Sequence, residues 1–129
     1  MPPFVSSLPQ VGELQEAERR LSECYELRRV IYGPVDAKVA ETLQAWAVVL
    51  KASKNDEVAI EKLKIAAKNF KDLKKDAKAA FAFVLLADWL EQAKEKDKAI
   101  EALEKAVALF PSTDVGKSAA EARLKALQS

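Results

Sequence analysis

Two stretches of the chain spell one pattern. Residues 83 to 111 read Phe83-x2-Leu86-Ala87-x2-Leu90-x8-Ala99-x3-Leu103-x2-Ala106-x4-Pro111, and residues 43 to 66 read Leu43-x2-Trp46-Ala47-x2-Leu50-x8-Ala59-x3-Leu63-x2-Ala66. Within each half the apolar positions recur every third or fourth residue, the period of an amphipathic helix. A helix pair repeated at this interval cannot bury its apolar face alone and must stack on the next pair. The spacing has a packing logic. Small Ala at the contact points lets helices approach closely, and large residues one turn away fill the groove beside them.

The remaining residues agree with an all-α chain. Ala, Leu, Lys and Glu, strong helix formers, dominate, with only 3 Gly and 5 Pro for turns. No segment alternates apolar and polar residues over five positions or more, so no strand is expected. At 129 residues, half hydrophobic and 32% charged, the chain reads as one modest globular domain.

Residues 1 to 11 hold three of the five prolines and read as an extended arm, with the helical domain over 12 to 129. Six helices are expected. The first, 12 to 32, turns Leu14, Ala17, Leu21, Cys24, Tyr25, Leu27 or the stem of Arg28, and Ile31 inward, and Gly33-Pro34 stops it. The second starts at Asp36 as N-cap, and the third runs from 57 to 72, followed by a lysine-rich link. The fourth, 77 to 94, is apolar on more than one face and should be the central helix. Asp97 is expected to cap the fifth, which Pro111 ends; Ser112-Thr113-Asp114 offers caps for the sixth, unless Gly116 delays its start to Ser118, where Ser118-x2-Glu121 reads as a capping box.

The two stretches resemble the tetratricopeptide repeat (TPR). All eight pattern positions in 83 to 111 are compatible with that family. In 43 to 66 seven are, with Trp46 bulkier than the usual Leu and Lys71 standing where Pro belongs. Ala17-x3-Leu21-x2-Cys24 matches the second helix of an earlier unit, whose first helix would fall on the proline-rich start. The aligned alanines Ala17, Ala59 and Ala99 are spaced more widely than the family's common length of about 34. The extra residues are expected between units, in 31 to 38 and 71 to 78. Around Tyr32-Gly33-Pro34-Val35-Asp36 the chain is similar to the longer repeats of kinesin-light-chain type proteins. The resemblance implies a short right-handed α-solenoid of antiparallel helix pairs, with the last helix capping the open end.

It also implies a concave groove lined by Glu41, Gln44, Val48 and Lys51 of one unit and Phe81, Val84, Asp88 and Glu91 of the next. An ordinary solvated face is the competing reading of the same residues. The chaperone-tail readers of the family clamp a carboxylate with Lys, Asn and Arg there. Apart from Lys51 those residues are missing, which disfavours an acidic C-terminal tail. Trp46 is expected in the core and Trp89 in a more open position. Phe81 has the best claim to be an exposed aromatic with a role.

The expected function is non-catalytic protein–protein interaction, as an adaptor, scaffold or assembly factor holding a peptide or helix in the groove. The alternative is a self-associating structural subunit in which the incomplete N-terminal unit packs on another copy. A third reading uses the lysine-rich stretch 51 to 78, nine lysines against five acids, as a weak nucleic-acid or anionic-surface binder. No aromatics are interleaved there to stack bases, and the net charge is only +1.

No enzyme and no cofactor is expected. With no His, the usual general base, metal ligand and pH switch are missing, and no Gly-rich nucleotide loop or metal-ligand spacing stands in for them. Cys24, a single thiol in a packing slot, reads as buried and inert, and fits a reducing, cytoplasmic setting. The N-terminal decapeptide lacks the basic and apolar regions of a signal peptide, and the longest apolar run is broken by Asp88, so no membrane partner is expected.

Overall fold

The computed structural model describes residues 11 to 129. The expected N-terminal arm lies outside the described residues except for Val11, which opens the first helix. Six α-helices follow one another: α1 (Val11–Tyr32), α2 (Ala37–Ala52), α3 (Asp56–Asp72), α4 (Asp76–Gln92), α5 (Lys96–Leu109) and α6 (Val115–Gln128). There is no strand among the described residues. Each helix packs chiefly against the helix before it and the helix after it. This is the nearest-neighbour arrangement of a repeat array.

A finer repeat runs beneath the forty-residue one. Equivalent positions on α2 to α5 are offset by twenty residues. Val39, Ala59, Ala79 and Ala99 are fully buried near the helix starts, and Leu43, Leu63, Phe83 and Leu103 are buried one turn on. Leu50, Phe70, Leu90 and Phe110 are buried at the far ends. The forty-residue pattern is an alternation laid on this step: bulky Trp46 and Leu86 on α2 and α4, small Ala66 and Ala106 on α3 and α5. Ala47, Ala66, Ala87 and Ala106 are all fully buried, as the close-approach logic requires. α4 carries the most buried residues of the six helices and is the central one.

The links α2–α3, α3–α4 and α4–α5 are copies of one turn. Lys54, Lys74 and Lys94 adopt left-handed backbone with φ of 68°, 62° and 65°. In each, the next residue's N–H reaches back across the helix end: Asn55 to Leu50 O at 2.9 Å, Lys75 to Phe70 O at 2.9 Å and Glu95 to Leu90 O at 2.8 Å. This is a Schellman cap, which normally places Gly at the left-handed position. A lysine there is strained by about 1 kcal/mol.

The turns correct two expectations and decide a third. The extra residues of the long repeat do not sit between units: only 73 to 75 separate α3 from α4, and the added length is helical. Asp97 does not cap α5; it lies in the first turn, because the Schellman geometry starts that helix at Lys96. Of the two starts open to α6 the earlier is used: Asp114 accepts from the Gly116 N–H at 2.7 Å, so the delayed start at Ser118 does not occur.

Other punctuation is as expected. Gly33, at φ +90°, ends α1, and the Asp36 carboxylate accepts from the Lys38 N–H at 2.8 Å to start α2. Pro111 forces Phe110 into extended backbone and ends α5. On α1 the inward stripe is Leu14, Ala17, Leu21, Cys24 and Tyr25, all half-buried, so Cys24 is less enclosed than expected. Arg28 turns inward to bond the buried Thr42 hydroxyl at 2.9 Å, while Leu27 and Ile31 face outward.

Candidate functional site

The residues read as a groove lie on α2 and α4, and the structure ties these helices and α6 along one face. Two cross-helix rungs join α2 to α4. Lys78 Nζ reaches Glu41 at 2.8 Å, and Lys51 Nζ donates to Gln92 Oε1 at 2.9 Å while also pairing with Asp56 at 3.3 Å. Gln44, Val48, Phe81, Val84 and Asp88 lie between the rungs in sequence. On the far side Arg123 of α6 donates to Asp88 and Glu91, each at 2.9 Å, and Gln92 bonds the other Asp88 oxygen at 3.2 Å. Partial burial works against the Arg123 charge, but the bonds to Glu91 and Asp88 outweigh it and hold the guanidinium above its ordinary range.

The consequence concerns Lys51, Asp88 and Glu91. All three are engaged by neighbouring helices, so their charges knit the face together instead of waiting for a ligand. The apolar members differ. Phe81 is 54% exposed and Val48 is 48% exposed, while Gln44 and Val84 are half-buried beside them. Phe81 is held from below: its ring meets Phe110 edge-on, with centroids 5.1 Å apart. Phe110 in turn presses on Gly116, where a Cβ would stand 2.7 Å from its ring.

Sequence reasoning missed Arg123, Lys78 and Gln92. One signal was present. Arg123 is the only arginine after Arg29, in a stretch where every other cation is lysine. Arginine is the side chain suited to bridging two carboxylates.

Trp46 packs against the core as expected but at its edge, and Trp89 is the more enclosed of the two tryptophans. Trp89 is buried on central α4, and Trp46 is half-open. Trp46 stacks at a tilt on Tyr25 and lies under Lys62, 4.3 Å from the ring centre. Its Nε1 is buried without a hydrogen-bond partner, beside a cleft lined by Ser22, Glu23, Glu26 and Leu27. The reason is layer position. α4 is enclosed by the buried stripes of α3 and α5, whereas α2 meets on its α1 flank only half-buried residues.

The lysines of 51 to 78 do not form one patch. Lys54 and Lys74 sit in turns, Lys51 and Lys78 on the α2–α4 face, Lys62 over Trp46, and Lys64, Lys68 and Lys71 on α3. Among the described residues no three His, Cys, Asp or Glu side chains are grouped to hold a metal ion, and no helix is long and apolar enough to cross a membrane. No protein-family model, curated protein or solved structure matches the chain.

Proposed function

We propose that this chain is a non-catalytic, TPR-like interaction module that seats a segment of another protein on the α2–α4–α6 face. The observation that supports this reading is the contrast between satisfied charges and open apolar groups. Arg123 neutralises Asp88 and Glu91, and Lys51 is held by Asp56 and Gln92, whereas Phe81 and Val48 stand half-exposed on the same surface. A partner gains little by competing for the paired charges. It gains by covering Phe81 and Val48, at about 25 cal/mol per Å2 of apolar surface removed from water. Phe81 is the anchor, since a rigid, supported aromatic loses little entropy on binding. The scaffold is preformed, and no covalent step is involved. An adaptor or assembly role inside a reducing compartment fits this chemistry.

The test is capture of partners by the wild-type chain and by a Val48→Ser/Phe81→Ser variant. Both positions are half-exposed, so the fold should survive, and a specific set of proteins should be lost. An unchanged set removes the groove assignment. Asp88 and Glu91 are poor choices for this experiment, because replacing them also releases Arg123 and α6.

A second reading, self-association, draws on α1. Leu27, Val30 and Ile31 occupy one face of that helix at positions i, i+3 and i+4 and are strongly exposed, Val30 at 80%. They lie on an end helix of the array, where a further helix would stack. Val30→Glu should lower the sedimentation mass if a second copy packs there.

A further inference from the structure

A different concavity lies on the other side of α4. α3 and α5 flank that helix and leave an open trough of 450 Å3. Its floor is Phe83, Leu86 and Leu90, each buried, and half-exposed Ile65 stands on the α3 wall. At 100° per residue the floor residues lie roughly half a turn around α4 from Phe81 and Asp88, so the trough is separate from the α2–α4–α6 face. Its walls carry five lysines against two acids. Lys68 is held by Asp72 at 2.9 Å and Lys98 by Glu95 at 3.5 Å. Lys64, Lys71 and Lys105 have no carboxylate partner among the described residues. Lys105 leans over the floor, 5.6 Å from the centre of the Phe83 ring.

We propose that this trough docks an acidic amphipathic helix from a partner protein. The occupant presents apolar side chains to Ile65 and to the aliphatic stems of the lysines above the buried floor, and carboxylates to Lys64 and Lys71 on one wall and Lys105 on the other. The dimensions suit it. The α3 wall runs from Lys64 to Asp72, about 12 Å at 1.5 Å per residue, which is about two helical turns. Apolar anchors at i, i+3 or i+4, and i+7 span that length. The charge is complementary to acid on both walls. A nucleic acid is the poorer fit, because a polar backbone would leave Ile65 uncovered and no exposed aromatic lines the trough to stack a base.

The experiment uses the whole chain with three probes: a synthetic 14-residue helical peptide with leucines on one face flanked by glutamates, the same peptide with every glutamate replaced by lysine, and decanoate. Calorimetry measures affinity, and amide NMR shifts locate the site. The acidic peptide should bind, with shifts confined to α3, α4 and α5, and the basic peptide should bind at least tenfold more weakly. A Lys64→Gln/Lys71→Gln/Lys105→Gln variant, checked for unchanged helicity, should lose at least tenfold in affinity, whereas Phe81→Ser should lose none. Equal binding of both peptides, full affinity in the triple variant, or binding of decanoate but not of peptide each overturns the proposal. Because Phe81→Ser is included, failure at the trough is distinguishable from failure of the α2–α4–α6 face.

Discussion

The rings of Phe81 and Phe110 meet at 89°, edge to face, 5.1 Å between centroids. One ring belongs to the exposed face of α4, the other to the buried end of α5. The contact therefore couples the candidate anchor to the corner where the chain turns into α6. Phe110→Ala should destabilise the fold by about 3–5 kcal/mol, as truncation of a buried aromatic does. Phe81→Ala should cost far less, and a double-mutant cycle should return about 0.5–1.5 kcal/mol of coupling. Strict additivity in urea unfolding would mean the rings do not support each other.

Gly116 lies against the same ring. A Cβ would meet Phe110 Cε1 at 2.7 Å and Cζ at 2.8 Å, and the ring cannot retreat without losing Phe81. Gly116→Ala, otherwise a favourable change inside a helix, should therefore destabilise by about 1–3 kcal/mol. A raised melting temperature would contradict this packing.

The three lysines in left-handed backbone make the opposite prediction. Lys54→Gly, Lys74→Gly and Lys94→Gly each relieve the Cβ clash at a Schellman position, and part of that gain is lost to the freer unfolded chain. Each should stabilise by about 0.5–1 kcal/mol, and the three should add, since the turns are separate. Chemical denaturation of the single and triple variants checks it. Destabilisation would mean that these residues do not hold positive φ.

Glu16 supplies the pH dependence. Its hydrogen bonds from Arg19 and then Arg20 hold the carboxyl at about 2, below the ordinary 4.5. A depressed carboxylate favours the folded helix in its charged form. Its contribution is complete above pH 4.5 and is lost as pH falls towards 2. The Glu16 side chain is 43% exposed, so salt should weaken the effect. Carbon NMR titration of Glu16 should show the low midpoint, and Arg19→Gln should raise it. A wild-type midpoint near 4.5 would count against the pairing.

How far the residues foretold this molecule varies by feature. The helix array was legible because Ala and bulky residues alternate at fixed spacing, and Gly33, Asp36 and Pro111 punctuate it by their own backbone chemistry. The twenty-residue step was equally present, in Val39, Ala59, Ala79 and Ala99. Its turns were hidden, because lysine is not the residue that left-handed backbone calls for. Asp97 therefore passed for a cap it does not make, while Ser118 competed with Asp114 for the start of α6 because Gly116 lies between them. Trp89 was read as the more open tryptophan because periodicity gives the face of a helix and not how well that face is covered. The candidate groove positions were implied by the resemblance to the tetratricopeptide repeat. Their partners were not: Lys51–Gln92, Glu41–Lys78 and Asp88–Arg123 join residues 41, 37 and 35 apart, and no spacing rule connects them.

The most direct measurement is site-specific photo-crosslinking in cells, with a benzophenone side chain placed at position 81, at position 65 on the trough wall, or at exposed position 104. If the α2–α4–α6 face seats a partner, position 81 yields a discrete protein adduct that Val48→Ser suppresses and that position 104 never gives. The same smear of adducts from 81 and 104, or none at 81, would contradict the account.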